Sequence, residues 1–222
     1  MLVSQLSKLY GYIPEIECVH VEPCHKGNNG IWDILGYYES VPKLIHICEP
    51  EIHKCVDDIK KIRLREFGRL EDDMSSIVLE SSVRELVRLH EHCHALLHTC
   101  SFKGFTAPNH KWYSSLSPDI CEPLVEFISR VLVEFANNNI LKRIFDFIDN
   151  KAPPYYKRWI ELMNIFIKRN LKDPSGYIPG IVSVLREEGK LKNFEHAKKV
   201  IEERWEDINA MSIAFNLSMF KD

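Results

Sequence analysis

Four of the ten histidines fall between positions 90 and 98, and three of them sit in the run His90-Glu91-His92-Cys93-His94. His90 and His94 are four residues apart, so on an α-helix they project from one face about one turn apart. Two imidazoles placed in that way can bind a single zinc ion at about 2.0–2.1 Å each. Glu91 follows the first histidine, roughly 100° further round the helix. That puts a carboxylate beside the metal without forcing it to ligate, the position of a general base toward a water that the metal makes acidic. The run is an H-E-x-x-H pattern, with His92 and Cys93 as spacers facing elsewhere.

Such a metal needs a third protein ligand and an open position for water. His98 continues the four-residue series, but a straight helix drifts about 80° over eight residues and carries it off the shared face. A glycine-turned third histidine is excluded, because Leu97 and Cys100 occupy the required positions. The remaining source is a carboxylate on the next helix, in Asp119-Ile120-Cys121-Glu122-Pro123-Leu124-Val125-Glu126. Glu122 is the first candidate and Glu126, one turn later, its competitor. Pro123 pushes Glu122 away from helical dihedrals and toward a position at the helix start. Tyr113 and His110, in the stretch between the two helices, are candidates to donate to a developing oxyanion, as are Tyr155 and Tyr156. Glu85 and Asp119 are candidates to hold the far nitrogens of the ligand histidines.

On these residues the chain resembles the gluzincin metallopeptidases, in which the ligand glutamate is followed by an apolar residue two positions on and a small one three on. Glu122, Leu124 and Val125 meet that pattern. More narrowly, residues 16–137 resemble the minimal zincins of the ImmA/IrrE type: a small sheet, the H-E-x-x-H helix, then a glutamate about 30 residues later. The resemblance implies a zinc-dependent peptidase acting on a peptide or protein substrate, with His90, His94 and Glu122 as ligands and Glu91 as general base. A zinc-binding regulatory or protein-interaction module without turnover is the alternative, and a fourth protein ligand would mark it.

The elements that must position these residues read as α+β. A short helix covers 3–11 and a strand Ile16–Glu22, followed by a loop at 23–30. Ile31–Tyr38 and Lys43–Cys48 form a β-hairpin. A helix runs from Pro50 to about Arg65. The histidine helix starts at a Ser75-Ser76 cap and ends near Cys100. After a loop at 101–117, an apolar helix runs from Pro118 or Glu122 to Asn137, then a segment at 140–148. Three helical segments follow Pro153-Pro154: 155–170, 177–188, and 194 to Asp207 or later. The expected architecture is a small antiparallel or mixed sheet packed on the histidine helix, zincin-like over 1–138, with a helical extension over 139–222.

Composition fits this reading. The formal net charge is −3, which offers no basic excess for nucleic acid. No run of 18 apolar residues exists to span a membrane, and the first residues lack the apolar core of a signal peptide. Seven scattered cysteines then read as reduced thiols in a cytoplasmic protein. Cys18 with His20 and Cys24 with His25 are read as core or incidental residues, and Cys93 and Cys100 as small buried apolar ones. Oligomeric state is not legible.

Overall fold

The computed structural model describes residues 2–22, 24, 35–67, 75–99, 110–171 and 173–219. It is an α+β structure with a three-stranded mixed sheet and ten α-helices among those residues. Strands β1 (Ile16–His20), β2 (Gly36–Ser40) and β3 (Lys43–Cys48) lie in the order β1-β3-β2. β1 pairs parallel to β3, and β2 antiparallel to it with Ser40 opposite Lys43. The two residues between them, Val41-Pro42, close the hairpin around a cis peptide. The expected strands are thus present but shorter: β1 ends at His20 rather than Glu22, and of the expected 31–38 strand, residues 31–34 lie outside the described residues.

Helix α1 (Leu2–Tyr10) ends at Gly11, whose φ of 66° allows its N–H to reach the Ser7 carbonyl. α2 spans Glu49–Phe67 and α3, the histidine helix, Ser76–Thr99. Ser75 caps α3 as expected, its hydroxyl accepting from the Val78 N–H at 3.3 Å. From Glu91 to Thr99 every side chain of α3 is buried. A helix buried all round must be enclosed by other elements, and α3 is: the sheet, α1, α2 and three later helices pack on it. Leu96 and Leu97 are fully buried there; truncating either to alanine is expected to cost about 2–5 kcal/mol.

The later helices are α4 (His110–Tyr113), α5 (Pro118–Phe135), α6 (Asn139–Lys151), α7 (Trp159–Lys168), α8 (Ile178–Glu188), α9 (Phe194–Glu203) and α10 (Trp205–Met219). α4 stands inside the stretch expected to be a loop. The final segment, expected to be one helix, is two, with Arg204 between them at φ −98° and ψ 27°. No glycine or proline marks that break. Instead the Arg204 guanidinium pairs with Glu187 on α8 and with Asp207, fixing the corner through tertiary contacts.

The segment after residue 138 is packed against the core. α6 and α7 contact α3 and α5 respectively, and one hydrophobic cluster runs from Leu2 to Phe215. Asn138 caps α6, its side chain accepting from the Ile140 and Leu141 N–H groups. Trp112 on α4 is buried and donates its indole N–H to the Leu185 carbonyl of α8 at 3.2 Å.

Cys24 and Cys48 form a disulfide, which corrects the expectation of reduced thiols throughout; Cys18, Cys55, Cys93 and Cys121 are free. Among the described residues, no helix is long and apolar enough to cross a membrane.

Candidate metal centre

α3 and α5 bring three donor atoms together. His90 Nε2 and His94 Nε2 are 3.2 Å apart, and Glu122 Oε2 lies 3.2 Å from the first and 3.4 Å from the second. Donors bound at about 2.0–2.1 Å in a tetrahedron stand about 3.3–3.4 Å from each other. The three atoms therefore outline one face of a tetrahedral site.

Glu122 reaches this position from inside its helix. α5 starts at Pro118, where a missing N–H costs nothing, with Ser117 in extended geometry as its cap. The Ser117 carbonyl accepts from both Ile120 and Cys121 at 2.9 Å. Glu122 is consequently one turn into α5, and Pro123 is an internal residue. This corrects the expectation that Pro123 holds Glu122 at the helix start. The helix gives up the hydrogen bond that Pro123 cannot donate to the Asp119 carbonyl.

The rear nitrogens of the two histidines also have partners. His94 Nδ1 lies 3.1 Å from the Tyr113 hydroxyl and 3.5 Å from Cys121 Sγ. His90 Nδ1 faces Glu126 Oε1 at 3.4 Å. With Nδ1 as the donor, both Nε2 atoms would aim lone pairs at the buried Glu122 oxygen, which without a metal ion only a protonated imidazole can satisfy. Three acceptors converging on one point are repulsive without positive charge between them. The same demand governs the titration of the group. Burial works against a charged His90 imidazole, yet Glu122 and Glu126 push it up to about 10. Burial likewise raises the Glu122 carboxyl, but His94 and His90 outweigh it and hold that group far below the carboxylate range. The donor set fits a metal ion of the kind that takes two imidazoles and a carboxylate.

This placement separates the two competing glutamates: Glu122 is in the triad, and Glu126 stands behind His90. It also differs from two other expectations. Tyr113 sits behind His94 and orients it, rather than facing a reacting oxygen. The partners of the far nitrogens are Glu126 and Tyr113, not Glu85 and Asp119; Glu85 pairs with Arg88 and with the Leu2 N–H. His110 begins α4, but its side chain lies outside the described residues. Nothing in the sequence marked Tyr113 as a histidine partner, because the contact depends on how α4 returns to α3.

Glu91 is 5% exposed and projects beside the triad into a cavity of about 380 Å³. Burial raises its carboxyl above the usual range, with His90 and His94 pulling it back. Gly36 of β2 forms the wall opposite. A Cβ there would come within 2.7 Å of Val87 Cγ1 and 3.2 Å of Glu91 Cγ, so the strand backbone approaches α3 only because this residue has no side chain. Tyr156 lines the same cavity, its ring stacked 6.2 Å from that of His90.

The neighbouring histidines do not join the triad. His92 is fully buried, donating from Nε2 to Glu17 Oε1 at 2.8 Å and accepting the Tyr12 hydroxyl at Nδ1, also at 2.8 Å. His98 Nδ1 lies 2.7 Å from the Tyr38 hydroxyl. Cys93 is buried, and desolvation pushes its thiol up to about 12. His20 pairs with His46, and His46 with Glu39, rather than with Cys18. One other cluster among the described residues has metal-ligand types, Glu49, His53 and Glu80, but Arg84 already pairs with both of its carboxylates.

No family model, curated protein or solved structure matches the chain.

Proposed function

We propose that the chain is a zinc-dependent metallopeptidase with a zincin-like core, acting on a peptide or protein substrate. The observation that carries this reading is the triangle of His90 Nε2, His94 Nε2 and Glu122 Oε2, whose edges match a tetrahedral metal site. Two imidazoles and a carboxylate are a ligand set for catalytic zinc. Zinc, when bound, supplies Lewis acidity: it polarises a carbonyl and lowers the pKa of water toward neutrality. Glu91 would take the proton from the attacking water at its carboxylate and deliver it to the leaving amine. Its raised carboxyl suits both halves of that task. Tyr155 and Tyr156, rather than Tyr113, are the phenols on the cavity side, and Tyr156, stacked on His90, is the candidate donor to the oxygen on which charge develops. Tyr113 and Glu126 hold the ligand imidazoles in the tautomer that leaves Nε2 free.

A non-catalytic zinc module would close its site with a fourth protein ligand. Among the described residues only three donors converge, and a cavity adjoins them. A cytoplasmic location belongs to the same reading; the Cys24–Cys48 disulfide is the observation that weighs against it.

The test is metal analysis combined with Glu91→Gln. The variant should retain about one zinc per chain while peptide cleavage falls by about 10²–10⁴-fold. Wild-type protein that takes up no zinc with His90 and His94 intact would overturn the proposal.

A further inference from the structure

Among the described residues, the cavity beside the triad has three carboxylates in its lining, Glu91, Glu126 and Asp149, and each is committed. Glu91 holds the proton-transfer role assigned above. Glu126 is turned toward His90 Nδ1, 3.4 Å away. Asp149, on α6, is buried, and burial raises its carboxyl, while a hydrogen bond from the Trp159 side chain and the charges of Lys157 and Arg130 stabilise it. A ligand entering this cavity therefore meets no carboxylate waiting for a cation. What remains is an apolar wall: Leu35 just ahead of β2, Leu86 and Val87 on α3, Phe145 and Ile148 on α6, and Pro153 just beyond it.

The cavity, about 380 Å³, lies near the small end of the range for ligand sites, about 300–1,000 Å³. An apolar side chain placed there leaves water and gains contacts on several sides, whereas a charged one would lose its hydration and find no free counter-charge. We infer that this cavity is a specificity pocket for a large apolar side chain, that of leucine, methionine or phenylalanine, on a residue flanking the scissile bond, and that Phe145 and Ile148 set the size it accepts. Both residues lie on α6, outside the part of the chain that supplies the triad and Glu91, so the helical half selects what the metal centre would cut. Phe145 is buried, with the Arg130 guanidinium 5.2 Å from its ring centre, and serves as a fixed wall. Ile148 is only half-buried, so its size can be changed without opening the core. In an apolar pocket one methylene more or less changes preference about 10–200-fold. The inference rests on the peptidase reading for its substrate, but the pocket can be tested without turnover.

Two measurements on the zinc-loaded full chain separate the claims. The first is digestion of a mixed peptide pool, with the cut sites read by mass spectrometry. The second is binding of Nα-acetyl-leucine amide against Nα-acetyl-glycine amide, followed by NMR titration. Leucine, methionine or phenylalanine should be enriched on one side of the cut, and charged residues depleted there. Ile148→Trp, which fills the cavity, should lower the leucine-to-alanine ratio of kcat/KM at least about tenfold and weaken binding of the leucine probe by a similar factor. Ile148→Ala, which enlarges the cavity, should move the preference toward phenylalanine or tryptophan, and it keeps the test open if the larger side chain prevents folding. Both variants should keep about one zinc per chain. Cleavage with no apolar preference, or with one that neither variant shifts, overturns the pocket and leaves the peptidase reading standing. Ile148-dependent binding of the leucine probe with no peptide cleaved does the reverse. Failure of both measurements overturns both.

Discussion

α3 carries two kinds of buried histidine within nine residues. His92 has both ring nitrogens satisfied, one by Tyr12 and one by Glu17, and desolvation holds its pKa below the usual imidazole value. His90 and His94 have protein partners on their Nδ1 sides, while their Nε2 atoms face each other and the Glu122 carboxylate oxygen, a set that only a proton or a metal ion can hold together. His92 and His94 are buried and His90 partly so on the same helix, so burial and residue type do not distinguish the two kinds. What does is where the lone pairs go. A histidine whose nitrogens both find protein partners is part of the scaffold; one that aims a lone pair at other acceptors calls for a cation.

Removing one member from each set should break the comparison in opposite ways. The largest effect is expected for His94→Ala: zinc falls from about one per chain to background, and the melting temperature ceases to respond to chelator. In the wild type, chelation should remove about 4 kcal/mol of stability if zinc had been present at about 1,000 times its Kd. That corresponds to a fall in Tm of about 8–16 °C for a chain of this size. His92→Ala should do the converse. It strands the Tyr12 hydroxyl, removes one donor from Glu17, which keeps Arg88, and leaves a cavity, costing about 2–4 kcal/mol in thermal or urea unfolding, but keeps the zinc. A His92→Ala variant that loses zinc would erase the distinction between the two sets.

A smaller change sharpens it. Glu126→Gln leaves all three ligands in place and alters only the acceptor behind His90, so zinc affinity should weaken by about 10–100-fold in a competitive chelator titration. The smallest effect concerns the scaffold histidine's partner. Burial raises the Glu17 carboxyl, but hydrogen bonds from Arg88 and His92 outweigh it and leave the group below its ordinary value. A carboxyl lowered on folding contributes stability above its unfolded pKa and loses it as pH falls through the folded one. Glu17→Gln should therefore flatten the acid limb of the stability curve below the ordinary carboxylate range, by less than about 1 kcal/mol because the pair is part-exposed.

The two-histidine geometry of α3 was legible because helical periodicity alone puts positions 90 and 94 on one face. Glu122 was legible as a residue type at a plausible distance, but not its setting. Pro123 argued for a helix start, and only the earlier start at Pro118 shows why Glu122 can stand a turn inside. The α+β order of elements followed from alternating and helical patterns, whereas the corner at Arg204 did not, since its cause is an ion pair with α8 rather than a local breaker. Roles set by long-range returns of the chain were the least readable: Tyr113 behind His94, and Tyr12 on His92.

The indole of Trp112, held by the Leu185 carbonyl, has a consequence for modularity. Trp112 adjoins Tyr113, so the hydroxyl that orients His94 is moored to a helix more than seventy residues further along the chain. A fragment ending at residue 138 would keep all three ligands and still lose that mooring. The two halves are thus not parts that recombination could exchange freely: the C-terminal helices would be inherited with the metal centre, and a shuffled partner would have to supply the same carbonyl in the same place.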